Sequence, residues 1–201
     1  MILEAKNITY KYRRDSKYIY RDFSIKVESG SRLGVIAPSG FGKTTLCKLL
    51  SGYEKPLSGK VLLDGKNLLS YRGYCPVQMI WQQPEIAVNP RIKMRSILAE
   101  GDNLRESLLE DLGIKDEWMD RYPQELSGGE LQRFCIARAL GEKTKFLLAD
   151  EITTMFDMVT QSGIWHFLIE ETVRRNIGMV IVSHNRPLLE HVCTEIYNLC
   201  Q

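Results

Sequence analysis

The 201-residue chain reads as one α/β domain: a mostly parallel sheet wrapped by helices, led by an antiparallel β subdomain and interrupted by a small helical lobe. Three observations predict this. Short apolar runs at 32–36, 77–81, 145–149 and 178–183 alternate with helical patterns, the rhythm of parallel strands covered on both faces. The first thirty residues alternate apolar with polar, as half-buried antiparallel strands do. Directly behind Leu33-Gly-Val-Ile36 stands Ala37-Pro-Ser-Gly-Phe-Gly-Lys-Thr-Thr45, a loop of the kind that wraps phosphates between a strand and a helix.

In order along the chain, Ile2 to Thr9 and Ile19 to Val27 are the antiparallel strands, parted by a polar bend at 13–17. Arg32 to Ile36 is a buried strand, Thr44 to Leu50 a helix closed by Gly52, and Lys60 to Gly65 a hairpin. After the strand Val77 to Trp81, residues 82–90 form a loop and roughly 92–121 carry short helical patterns. A helix from Ser127 to Leu140 is followed by the strand Lys145 to Ala149, a helix from about Asp157 to Asn176, and strands at 178–183 and 196–199. Residues 1–201 thus form a single domain, with the helical lobe at about 83–140 inserted in the core.

Lysine and arginine number 27 against 25 aspartate and glutamate, so no dominant basic footprint for nucleic acid exists. No export signal is visible at the N-terminus, and no apolar stretch approaches the roughly 18 residues a membrane span needs, so any membrane role runs through a partner. Five scattered cysteines without a C-x-x-C pair read as buried thiols in a reducing compartment.

The chemistry concentrates at strand ends. In the loop, Gly40 and Gly42 let backbone N–H groups converge between Ser39, Phe41 and Thr45. Lys43 offers an ammonium to the outer phosphates, and Thr44 a hydroxyl to magnesium. Ala37 stands where the strict loop pattern has glycine, which an ordinary negative φ would tolerate. Asp150 and Glu151 end an apolar strand, and alternation would point them to opposite faces: Asp150 to the magnesium shell, Glu151 to an attacking water. His184 and Gln82 end two further strands, within reach of a γ-phosphate, of water and, for Gln82, of magnesium. Each feature has a plainer reading when taken alone: a glycine-rich turn, a solvated acidic strand end, a structural histidine, an ordinary loop glutamine.

Leu126-Ser-Gly-Gly-Glu130, leading into a helical run, decides among nucleotide enzymes. With it the chain resembles the ATP-binding subunits of ATP-binding cassette (ABC) transporters over essentially its whole length. The resemblance implies a P-loop NTPase fold with a RecA-like core, ATP and Mg2+ as cofactors, and ATP hydrolysis. It implies that Tyr12 stacks on adenine, although Tyr10, Tyr18 and Tyr20 are neighbours, and that Ser127, Gly128, Gly129 and Asp157 contact nucleotide. Ser127 could cap a second anion-binding helix N-terminus. In the family that surface faces the phosphate loop of a second ABC ATPase subunit, a copy or a different cassette, set head-to-tail.

Ile80-Trp-Gln-Gln-Pro84, Ala87-Val-Asn-Pro-Arg91 and Arg121-Tyr-Pro-Gln-Glu-Leu-Ser127 resemble importers of peptides and nickel. Implied are transmembrane permease subunits as partners, no nucleic acid, and a cytoplasmic location, peripheral at the inner face of the membrane. Against the family pattern, Ile152 replaces a proline, Phe156 a leucine, and Asn185 an aspartate; the end at Cys200-Gln201 suggests a minimal or truncated cassette. Two other functions compete: a soluble ABC ATPase acting on ribosomes or DNA, and a nucleotide-binding regulator without turnover.

Overall fold

The computed structural model describes every residue except Arg14, Glu106 and Gln201, so one position each of the expected bend and lobe lies outside the described residues. The elements are β1 (Ile2–Tyr10), β2 (Tyr20–Glu28), β3 (Arg32–Ile36), α1 (Lys43–Leu50), β4 (Ser58–Leu63), β5 (Lys66–Asn67), β6 (Val77–Ile80), α2 (Met94–Ala99) and α3 (Leu108–Asp111). They continue with α4 (Gly128–Ala139), β7 (Phe146–Asp150), α5 (Met158–Arg175), β8 (Gly178–Val182), α6 (Arg186–Val192) and β9 (Glu195–Asn198).

Two sheets result. The antiparallel one has the order β2-β1-β4-β5, the parallel one β6-β7-β8-β3-β9. Every residue of β7 and β8 is buried, which is why these strands read as unbroken apolar runs rather than alternating ones. Helix α1 lies between the sheets: Leu46, Leu49 and Leu50 join Leu3, Ile8, Val35 and Val180 in one core. Each of these three leucines is at most 2% exposed and contributes about 2 kcal/mol by leaving water. On the other side, Leu131, Phe134 and Ile136 of α4 pack with Leu147 and Ala149 of β7 and with Met94 and Ile97 of α2.

Helix α5 matches its expectation because both ends are written in the sequence. Asp157 caps the start by accepting from Val159 and Thr160 N–H, and Asn176, at φ 53°, supplies the left-handed end. The expected hairpin at 60–65 is displaced: β4 begins at Ser58, where it pairs with Thr9, and the turn is Asp64-Gly65, both with positive φ. Between Gln82 and Ser127 the described residues of the lobe form the short helices α2 and α3 and tight turns at 84–87, 116–118 and 123–125, and α4 completes the lobe. Helix α6, expected around His191, is present and is capped by Asn185, whose side chain accepts from Leu188 N–H. Cys47 and Cys135 are buried as expected, but Cys200 is exposed and Cys75 and Cys193 only half-buried. Among the described residues no helix is long and apolar enough to cross a membrane.

Candidate nucleotide site

Because β6, β7, β8 and β3 run parallel, their carboxyl ends share one edge of the sheet. From β3 the chain enters the loop, where Gly40 and Gly42 take φ of 83° and 90°. A Cβ on Gly42 would lie 2.5 Å from the Ile19 side chain, so glycine is required there for conformation and for space. Ala37, 4% exposed, is not among the non-glycine residues with positive φ, so its methyl group is accommodated. Ala37→Gly is accordingly expected to leave ATP affinity within about threefold and to lower stability by about 0.5–1 kcal/mol, read by calorimetric titration and urea unfolding.

Lys43 opens α1 and is 7% exposed. Its Nζ donates to the carbonyls of Ala37 (2.7 Å) and Pro38 (3.1 Å) and lies 3.9 Å from Glu151 Oε1. The helix start has neither a side-chain cap nor an acidic residue in its first turn, leaving its N–H groups to an anion.

The strand stops at Asp150, and Glu151 adopts φ 48°, so the alternation expected of two adjacent extended residues does not apply to this pair. Asp150 is 2% exposed. Burial raises its carboxyl above the usual range, and a hydrogen bond with Thr44 opposes the rise. Glu151 draws in the other strand ends: Gln82 Nε2 donates to its Oε2 at 3.3 Å, and His184 Nδ1 lies 3.3 Å from the same oxygen.

A cavity of about 360 Å³ is lined by Tyr12, Ser39, Gly40, Gly42, Lys43, Thr44, Thr45, Gln82 and Glu151. Phe41 is half exposed and outside that lining, while Ile19 belongs to it without having been singled out in the sequence, where it is one more apolar strand residue. Tyr12 is the neighbouring tyrosine that reaches the cavity; Tyr10 and Tyr20 are buried, and Tyr18 packs under Lys11 and Arg21. The Tyr12 hydroxyl is 2.9 Å from Thr45 Oγ1. His184 lines an adjoining cavity that it shares with Glu151.

Ser127, Gly128 and Gly129 line a different cavity, of about 500 Å³, with Met155, Phe156 and Asp157; it shares no lining residue with the first. Ser127 caps α4, accepting from Glu130 N–H while Glu130 accepts from Ser127 N–H, and these bonds hold the Glu130 carboxyl below its ordinary range. A Cβ on Gly129 would lie 3.2 Å from the Phe156 ring, so a side chain there would press that ring by a few tenths of an ångström. Asp157 spends its carboxylate on capping α5, which lowers its pKa.

The oxygens of Thr44, Asp150 and Gln82 suit a hard divalent cation. The fit is supported by Asp150 itself, a buried carboxylate whose desolvation a magnesium ion would relieve and whose hydrogen bond places it beside Thr44.

The parallel sheet, the glycine-shaped loop and the acidic strand end define a P-loop nucleotide-binding protein. The family described as ABC transporter matches residues 20–154, and the chain belongs to it. It is 33% identical over 189 residues to a protein of Sinorhizobium fredii (strain NBRC 101917 / NGR234) named "Probable peptide ABC transporter ATP-binding protein y4tS", covering 85% of this chain and 54% of that one. It is 31% identical over 198 residues to the nickel import ATP-binding protein NikE of Escherichia coli (strain K12), covering 89% of this chain and 73% of that one. The chain therefore spans about half the length of the first of these relatives. The dimeric ATP-binding cassette MJ0796, solved in a post-hydrolysis state with ADP and Pi, superposes with a TM-score of 0.83 over 98% of this chain and 93% of its own; at 21% identity the likeness concerns the fold.

Proposed function

We propose that this chain binds ATP with magnesium and hydrolyses it to ADP and phosphate at a site completed by a second cassette, energising import of a peptide, nickel or a related small substrate through transmembrane permease subunits. The observation that carries this reading is the separation, within one chain, of the phosphate-loop cavity from the Ser127-to-Gly129 cavity. Two anion-binding surfaces on one molecule serve one nucleotide only if two molecules meet head-to-tail, each supplying one surface.

In this mechanism the loop N–H groups and the start of α1 hold the phosphates. Lys43 releases the Ala37 and Pro38 carbonyls and turns its ammonium to the outer phosphates. Thr44, Asp150 and Gln82 would hold a magnesium ion, which would supply positive charge against the phosphate oxygens. Glu151 accepts the proton of the attacking water, and His184 and Gln82 fix its carboxylate through the contacts already present at 3.3 Å. The Tyr12 ring stacks on the base. Tyr12→Ala is then expected to weaken ATP binding by about tenfold, and Tyr12→Phe to stay close to wild type, read by calorimetric titration.

The importer assignment rests on the similarity to peptide and nickel import proteins and on the stretch Ile80 to Arg91. On this reading the chain works at the inner face of the membrane, held there by its permease. The test is recovery of the tagged chain from its own cells, with phosphate release assayed with and without EDTA. Magnesium-dependent release from a complex containing an integral membrane protein is the expected result. Recovery on ribosomes or DNA would support the competing soluble ATPase.

A further inference from the structure

Helix α4 carries Ser127 at its start, and one of its faces is also bonded along the segment that carries Gln82. Gln132, with no exposed surface, donates from Nε2 to the Trp81 carbonyl at 3.1 Å. Three residues on, the Cys135 thiol lies 3.9 Å from the Pro84 carbonyl, and three further on Arg138 Nη2 donates to the Ala87 carbonyl at 2.6 Å. Donors at 132, 135 and 138 thus meet acceptors at 81, 84 and 87, one helix face running in register with one strand of loop. Gln82 lies inside that span and reaches Glu151.

Gln132 Oε1 is the buried side-chain polar atom left without a hydrogen-bond partner among the described residues. A buried acceptor without a donor costs free energy, which the bond from Nε2 to the Trp81 carbonyl offsets. The amide thus holds the segment and keeps one acceptor in reserve.

We propose that Gln132 is a positioning residue for hydrolysis, tying the placement of Gln82 to that of the signature helix. Its Nε2 holds the segment in the arrangement seen here, and its free Oε1 takes a backbone N–H of residues 82–87 when nucleotide moves the segment relative to α4. Occupancy at the phosphate loop is thereby communicated to the surface that meets the second chain. The inference rests on the hydrolytic reading proposed above.

Gln132→Met removes both polar atoms at nearly constant length. Expected are a kcat lower by about tenfold with KM for ATP within about twofold, and a lower melting temperature because the Trp81 carbonyl loses its donor. In hydrogen exchange, ATP should still slow residues 82–90 of the variant, but the accompanying change at 128–139 expected in the wild type should vanish. A kcat equal to wild type, or exchange that still changes together in both segments, overturns the proposal. If Gln132→Met fails to fold, Arg138→Gln tests the far end of the same face: lowered kcat at unchanged KM supports the proposal, and wild-type kcat overturns it. A wild-type chain that releases no phosphate overturns the hydrolytic reading instead, and the exchange comparison then decides the role of Gln132.

Discussion

Lys43→Ala is expected to lower ATP affinity about a hundredfold and to remove phosphate release altogether. Among the described residues the ammonium is the one positive side chain lining the phosphate cavity, and a charge-assisted hydrogen bond to a phosphate oxygen is worth roughly 1.5–3 kcal/mol in binding. The substitution acts on the free protein too. In the structure Lys43 holds the Ala37 and Pro38 carbonyls, and it sits against Glu151. Without it those carbonyls lose their partner, so folding stability should fall by about 1–3 kcal/mol. Titration calorimetry and urea unfolding separate the two effects. A variant that still hydrolyses ATP would dismiss the assignment of Lys43 and, with it, the loop.

Glu151→Gln is expected to lower kcat by about three orders of magnitude while ATP binding is kept or tightened. The glutamine preserves length and can still meet Gln82 and His184, but it has no carboxylate to accept the proton of the attacking water. It also removes a negative charge from the mouth of an anion site, so affinity has no reason to drop. Single-turnover phosphate release reads the chemical step directly. A loss in affinity equal to the loss in rate would mean that Glu151 positions nucleotide rather than activating water.

Much of this site was legible because each strand end carries its chemistry within a few residues of an apolar run. The phosphate loop, Asp150, Glu151, Gln82 and His184 could be placed once β3, β6, β7 and β8 were read as parallel, since a parallel sheet gathers those ends on one edge. Ser127 was legible as a cap because serine ahead of a helical run is a favoured N-cap residue, and the structure adds the reciprocal bonds with Glu130. What escaped depends on contacts between distant segments. Nothing local distinguishes Ile19 from other strand residues or says that Lys48 lies 5.9 Å from the Tyr12 ring centre and 5.4 Å from that of Trp81. Gln132 sits in an ordinary amphipathic pattern, and only the folded chain sets it on the Trp81 carbonyl. The alternation expected at Asp150 and Glu151 assumes extended backbone, and the positive φ at Glu151 could not be read from residue types.

Phe156 and Ile152, the two departures flanking the start of α5, prove to be packing residues. Ile152 is buried in the larger core, and Phe156 lies between Gly129 and the Arg133 guanidinium. Phe156 therefore shapes the very surface that a second cassette would meet, beside the exposed Met158 and Val159.

The central claim is that the phosphate loop of one chain and the Ser127-to-Gly129 surface of another close over the same ATP. Light scattering on purified Glu151→Gln tests it most directly, since that variant holds ATP without consuming it. With ATP and magnesium the mass should double from the 23.1 kDa of the single chain, and it should return to 23.1 kDa when ATP is replaced by ADP. A mass that stays at 23.1 kDa while calorimetry shows ATP bound would contradict the account.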